Sequence, residues 1–283
     1  MQIISIFAAV KPLEQIIVPI ATELQQFEAF FEATLKAETE PMDNIMHYVR
    51  DTRGKRMRPI LVLLSAKLFG KVNHQTLRAA TFVEMVHSAT IIHDDVVDDA
   101  NQRRGKSSVK ARFGNLSAVL AGDFLLAKAM LLLAQPDDHA ILQEMLSTTA
   151  AMSEGELMQN VSVRSLSLRS LSIVEASKGR PNNSYLDIIT RKTALLMRSC
   201  CVAGALSVNA TPEQVKQIAD FGLNFGILFQ LRDDILDGEN TAEAQALLPE
   251  YLQKTLDSLK SFPASETLEA LRDLTVFCAE RES

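Results

Sequence analysis

"HSATIIHDDVVDDANQRRG", residues 87–105, carries four aspartates at the end of an apolar run and two arginines a few residues later. Asp94, Asp95, Asp98 and Asp99 repel one another and are poor helix formers, so local stability gives no reason for the arrangement. On a helix each residue turns by about 100°, which puts Asp94 and Asp98 one turn apart on one face and Asp95 and Asp99 one turn apart on the next. Hard divalent cations choose oxygen ligands, and Mg²⁺ is commonly held by one or two carboxylates while water and phosphate oxygens complete its shell. The stretch reads either as a helix end presenting a magnesium half-site or as a solvated acidic face.

The same spacing returns in "FQLRDDILDGEN", residues 229–240, where Asp233, Asp234 and Asp237 again close an apolar run. Two identical spacings are harder to assign to solvent than one. If the two helices face each other across a bundle, they form an acidic cavity for several Mg²⁺ ions and a diphosphate. Upstream, "RDTRGKRMRP" supplies Arg50, Arg53, Lys55, Arg56 and Arg58 around Gly54 and just before Pro59, a residue suited to a helix's first turn. Such a loop either holds a second anion without metal or is a solvated basic stretch. Arg103 and Arg104 follow the first aspartates closely enough to reach the same anions. His87 lies two turns before Asp94 on the same face and is either a phosphate donor or a core histidine; His93 is turned away and reads as structural.

Apolar residues make up 47% of the 283, while 11 glycines and 9 prolines are few for that length. With helical periodicity throughout and no convincing alternation, the fold class is all-α. Helices are expected near 13–36, 41–50, 59–69, 74–99, 115–134, 138–160, 185–207, 212–237, 242–260 and 264–281. No linker rich in Gly, Ser or Pro divides the chain, so residues 1–283 read as one domain. Residues 161–184 repeat Arg-Ser-Leu-Ser and end in breakers, and read as an exposed loop insertion, either irregular or partly helical. A net charge of -6 gives no reason to expect nucleic acid. Cys200, Cys201 and Cys278 have no metal-site spacing and fit structural thiols in a reducing, cytoplasmic setting. The apolar N-terminus lacks a basic lead and meets Pro12 early, against a signal peptide. Residues 116–134 have the length of a membrane span but carry Asp123 and Lys128, which favours a helix buried in a bundle over an integral membrane protein.

Taken together, "GKRMRP" (54–59), "HSATIIHDDVVDDANQRRG", "GD" (122–123), "RKTA" (191–194) and "FQLRDDILD" (229–237) resemble the trans-isoprenyl (polyprenyl) diphosphate synthases. The resemblance implies an isoprenoid-synthase helical bundle, Mg²⁺ as cofactor, and a homodimer. It also implies condensation of an allylic diphosphate with isopentenyl diphosphate and release of pyrophosphate. By position, Lys55, Arg58, His87 and Arg104 match the isopentenyl diphosphate contacts. Asp94, Asp98 and Asp233 match the magnesium ligands, Arg103 matches a contact to the allylic diphosphate, and Lys192, Thr193 and Gln230 match the polar groups beside the scissile C–O bond. Thr90 and Ala89, four and five positions before Asp94, replace the bulky aromatics that shorten products in the family, so a product longer than C15 is expected. After Asp237 the family's lysine-bearing loop is missing, and Lys254 and Lys260 read as helix-surface residues. That departure keeps a non-catalytic or regulatory subunit in play. A terpene cyclase fits less well, because it needs neither the second aspartate motif nor two basic motifs.

Overall fold

The structure, a computed structural model, describes residues 10–52, 54–103, 105–168 (backbone only beyond 159) and 185–282. Helices dominate, as composition and periodicity predict. By packing, the chain falls into two compact units. The amino-side unit comprises Ile17–Gln143 and Val202–Thr211, and the carboxy-side unit comprises Met1–Ile16, Glu144–Cys201 and Pro212–Ser283.

In the amino-side unit, α2 (Ala21–Leu35), α3 (Glu40–Asp51), α4 (Met57–Phe69), α5 (His74–Val97), α6 (Val109–Phe113) and α7 (Asn115–Leu133) follow one another. Helix α4 is apolar all round, and Ile60 to Leu64 are almost wholly removed from solvent, which makes it the centre of this unit. Each such side chain contributes about 2 kcal/mol on burial. Helix α5 starts in a capping box: the Asn73 side chain accepts from Thr76 N at 3.1 Å, and Thr76 Oγ1 accepts from Asn73 N at 3.3 Å. Asn73 Nδ2 also donates to Ser207 O at 2.8 Å. A cap contributes about 1 kcal/mol, so it sets where α5 begins while packing holds it in place.

Helix α5 runs along α7, where His93 Nε2 meets Val119 O at 3.2 Å, in keeping with a structural His93. The expectation that α7 is buried holds for one face only. Ala118, Ala121, Gly122, Leu125, Ala129 and Leu133 are buried, while Leu116, Leu120, Met130 and Leu131 are exposed. Small residues on the inner face let α5 close in, and the larger apolar ones are left on the outside. By length and mean hydropathy (1.9) alone, α7 is apolar enough to cross a membrane.

The carboxy-side unit contains α1 (Leu13–Ile16), α8 (His139–Leu168, from Glu144 on), α9 (Tyr185–Ile189), α10 (Leu195–Leu206, as far as Cys201), α11 (Pro212–Asp237), α12 (Thr241–Ser258) and α13 (Glu266–Glu280). Helix α11 is its axis, packed against α12 and α13. Its buried rings follow the helical period, with Phe221, Phe225 and Phe229 spaced at 5.7 and 6.5 Å between neighbours.

Two local expectations are corrected. The helix expected over 13–36 breaks into α1, a 3₁₀ turn at Val18–Ile20 and α2, because Pro19 has no N–H to continue the ladder. The helix expected over 185–207 is interrupted by a π turn at Thr190–Ala194. Residues 161–168 continue α8, the partly helical form of that insertion; residues 169–184 lie outside the described residues. A hairpin of two short strands, β1 (Gln102–Arg103) with β2 (Lys106–Ser107), lies between α5 and α6 and leaves the all-α class standing.

One contact tests this packing directly. A Cβ on Gly204 would lie 2.3 Å from Val62 O and 3.0 Å from Ala66 N, and a helix backbone does not yield as a side-chain tip does. Gly204→Ala is expected to destabilise the protein by about 1–3 kcal/mol, read as a lower thermal midpoint. An unchanged midpoint would mean that α4 and α10 do not approach this closely.

Candidate active site

The two acidic stretches are built the same way. Helix α5 ends with Asp98 as its C-cap and Asp99 left-handed at φ 54°, Ala100 N bonding back to Asp95 O at 2.9 Å. Helix α11 ends with Asp237, Gly238 left-handed at φ 76°, and Glu239 N bonding back to Asp234 O at 2.8 Å. This six-residue closure is the Schellman end of a helix. The first aspartate of each set therefore stands on the last full turn, the second has its carbonyl spent in closing the helix, and the third stands at the cap. Burial follows the same order: Asp94 and Asp233 are half-buried, Asp95 and Asp234 buried, Asp98 and Asp237 exposed. Asp98 N bonds to Asp94 O at 2.8 Å, which keeps that pair one turn apart as expected. The expected pairing of Asp99 with Asp95 fails, because Asp99 has left the helix to terminate it.

Each buried aspartate is satisfied inside its own unit. Asp95 Oδ1 accepts from Arg103 Nε at 3.0 Å and Nη2 at 2.9 Å, and the hairpin holds Arg103 for it. Asp99 accepts from Lys110, whose hydrogen bond and charge hold the carboxyl below its ordinary pKa. Asp234 Oδ1 accepts from Gln230 Nε2 at 2.7 Å and Oδ2 from the Tyr185 hydroxyl. Burial and then that bond push the Tyr185 phenol well above its ordinary pKa, so it remains a donor. Gln230 Oε1 accepts in turn from Thr193 Oγ1 at 2.7 Å. Thr193, Gln230, Asp234 and Tyr185 form one chain of hydrogen bonds that fixes the amide's orientation.

Lys192 and Thr193 sit in the π turn, a widening often found where side chains must be re-aimed. Gly155 and Gly226 make room for it: added Cβ atoms would lie 2.7 Å from Arg191 Cβ and 2.5 Å from Ala194 Cα. Lys192 Nζ is held at 2.8 Å by Glu156 and at 2.7 Å by Gln159 on α8. The sequence reading passed over Glu156, Gln159 and Tyr185; the available signal was a polar pair beside Gly155 on a helix and an aromatic hydroxyl just ahead of Lys192.

Asp233 accepts from Arg281 Nη2 at 2.5 Å, another partner that the spacing did not announce. The three cysteines are buried and form no disulfide, and burial pushes the Cys278 thiol up to about 12.

The basic stretch divides by role. Arg58 Nη1 lies 2.8 Å from His87 Nε2, so two of the expected diphosphate contacts are brought together. Lys55 is exposed on the loop before them. Arg56 is different: its side chain is only 8% exposed and bonds Glu28 at 2.8 Å and Glu84 at 2.5 Å, with its guanidinium 4.7 Å from the Phe31 ring centroid. Burial alone would lower its pKa, but Glu84 and Glu28 outweigh that and hold it above its ordinary value. Arg50 pairs with Asp51 at 2.9 Å, Lys254 with Glu250 and Lys260 with Asp257, as surface residues do. Arg53 and Arg104 lie outside the described residues.

Among the described residues, no three His, Cys, Asp or Glu side chains gather into a closed ligand cage. The pair Asp94 and Asp98, and Asp233 on its own turn, offer hard oxygen donors and leave coordination positions open. That donor chemistry suits Mg²⁺ bound together with phosphate oxygens.

A sequence profile of the polyprenyl synthetase family matches residues 39–247. The octaprenyl diphosphate synthase of Haemophilus influenzae is 33% identical over 239 residues, 80% of this chain and 69% of that protein. Component 2 of the heptaprenyl diphosphate synthase of Geobacillus stearothermophilus is 33% identical over 226 residues, 79% of this chain and 66% of that one. The chain thus spans about two thirds of the length of these curated relatives. In fold it is similar to a polyprenyl synthase from Caulobacter crescentus, with a TM-score of 0.84 over 98% of this chain and all of that one at 24% identity.

Arg56 and Arg58 make contrasting tests. Arg56→Gln leaves two partly buried carboxylates without their cation and is expected to cost about 3 kcal/mol or more in denaturant unfolding. Arg58→Gln is expected to leave the unfolding midpoint within about 1 kcal/mol of the parent. Equal losses would show that both arginines are structural.

Proposed function

The chain belongs to the polyprenyl synthetase family, and from that premise we propose that it is a magnesium-dependent trans-prenyltransferase. It condenses isopentenyl diphosphate with an allylic diphosphate, releases pyrophosphate, and extends the product beyond C15. The observation that carries this reading is the shared construction of the two acidic helix ends. In each, the middle aspartate is buried and satisfied while the first and third remain at the surface of the helix terminus.

In this reading Asp94, Asp98 and Asp233 hold magnesium and the allylic diphosphate. Bound magnesium supplies the Lewis acid that stabilises charge gathering on the leaving diphosphate. The allylic C–O bond breaks with its electron pair going to that diphosphate. The alkene of isopentenyl diphosphate then forms the new C–C bond, and a proton is lost to the departing pyrophosphate. Lys192, steadied by Glu156 and Gln159, attracts the leaving group. Thr193 and Gln230 are held by the Asp234–Tyr185 relay beside the reacting carbon, where fixed dipoles need no reorganisation. Lys55, Arg58, His87 and Arg104 bind isopentenyl diphosphate, and Arg103 contacts the allylic diphosphate from its seat on Asp95.

Thr90 and Ala89 support the long product. Ala89 is fully buried, and the Thr90 hydroxyl bonds back to His87 O at 2.9 Å, so neither projects a bulky group from α5. A homodimer formed through the exposed apolar face of α7 accounts for Leu116, Leu120, Met130 and Leu131, which water would otherwise cover. Buried thiols that form no disulfide suit a cytoplasmic setting. A second reading, a chain active only beside a partner subunit, draws on Arg281 already occupying Asp233.

Labelled isopentenyl diphosphate, incubated with purified protein, Mg²⁺ and allylic primers, is expected to enter products longer than C15. Asp94→Asn and Asp233→Asn are each expected to lower turnover about a hundredfold or more. Turnover that survives both changes, or products that stop at C15, would sink this reading; turnover restored only by a partner would favour the second. Sedimentation should show a dimer that Leu120→Glu with Leu131→Glu converts to a folded monomer, and a monomeric parent would remove the α7 interface.

A further inference from the structure

Arg281 is held in place more firmly than a surface arginine needs to be. The residue follows α13, and its carbonyl accepts from Arg232 Nε at 2.8 Å and Nη2 at 2.6 Å. With its backbone pinned to the side of α11, the guanidinium stacks 4.1 Å from the Phe229 ring centroid. From there Nη2 reaches Asp233 Oδ1 at 2.5 Å and Phe229 O at 3.3 Å. The side chain is 9% exposed, against 33% for Asp233. The grip is also incomplete: Arg281 Nε is buried and has no hydrogen-bond partner, so the contact to Asp233 is single-pronged where arginine's fork favours two. A cation placed this way neutralises the carboxylate without saturating its own donors.

We propose that Arg281 is the resident countercation of Asp233, so that the second acidic cluster takes up a divalent cation only together with a diphosphate. Mg²⁺ alone has to share Asp233 with a guanidinium already seated on one of its two carboxylate oxygens. A diphosphate changes the balance in two ways. It brings oxygens that complete the metal shell, and it offers the freed guanidinium, with its spare Nε, an anion to bind. Arg281 is therefore a positioning residue that couples metal loading to substrate. This inference rests on Asp233 as a metal ligand, as assigned above.

Mn²⁺ binding to the full chain, followed by electron paramagnetic resonance with and without inorganic pyrophosphate, tests the proposal. Without pyrophosphate, Arg281→Gln is expected to bind one Mn²⁺ roughly tenfold to a hundredfold tighter than the parent, the range one charge-assisted hydrogen bond commands. Arg281→Lys should stay near the parent, and the gain should vanish in Arg281→Gln with Asp233→Asn. With pyrophosphate, parent and Arg281→Gln should converge. Equal Mn²⁺ binding by the two proteins in the absence of pyrophosphate would overturn the proposal. If instead Asp233→Asn alone leaves binding with pyrophosphate unchanged, the metal assignment of Asp233 fails, and with it the premise. The parent chain gives an independent readout should Arg281→Gln fold poorly. In the parent, Mn²⁺ should occupy the second cluster with pyrophosphate present and not without it, and binding there that is indifferent to pyrophosphate would equally overturn the proposal.

Discussion

Carboxylates at the C-terminal end of a helix are placed where they are least comfortable. The last carbonyls of α5 and α11 already carry the negative pole of each helix, and Asp94, Asp98, Asp233 and Asp237 add full charges to it. A helix designed only for stability would put lysine or arginine there. Both ends are therefore incomplete without cations, and the arrangement of neighbouring groups follows from how that demand is met.

Part of it is met by the protein. Arg103 is delivered to Asp95 by a two-residue hairpin, Lys110 to Asp99 from α6, and Arg281 to Asp233 from beyond α13. Asp234 is satisfied without a cation, by Tyr185 and Gln230, and this has a chemical consequence. Both donors to Asp234 are neutral groups, so the relay ending at Thr193 is built without a cation. Orienting the Gln230 oxygen by that route places a fixed dipole at the end of the relay without adding a positive charge there. In the proposed reading, metal and substrate phosphates would answer the rest of the demand.

Much of this was legible in the sequence, because two kinds of signal are local. Helical periodicity and the Asp-Asp-x-x-Asp spacing depend on neighbours within a turn, so helix α11, for example, begins at Pro212 and ends at Asp237 as expected. What stayed hidden depends on residues far apart in the chain. Arg56 and Arg58 look alike in "GKRMRP", but one meets Glu28 and Glu84 and the other meets His87, and no spacing rule separates them. Arg281 lies 48 residues from Asp233. The π turn at Thr190–Ala194 depends on Gly155 and Gly226 in other helices, since the extra width is tolerable only where those neighbours lack a Cβ.

The division within the basic stretch also bears on how the first acidic end came to tolerate its charge. Arg56 adopts a left-handed conformation at φ 58° and caps α4 from outside, an arrangement that an arginine reaches only at some cost in backbone energy. Glu28, Glu84 and the Phe31 ring offset that cost by enclosing the guanidinium. Fixing Arg56 inward fixes the direction of the chain on either side of it, so Arg58 two residues later must leave α4 toward α5, where His87 waits at 2.8 Å. A buried ion pair that is at best modestly stabilising for the fold thus acts through geometry. It sets a second cation beside His87, on the helix that ends at Asp98.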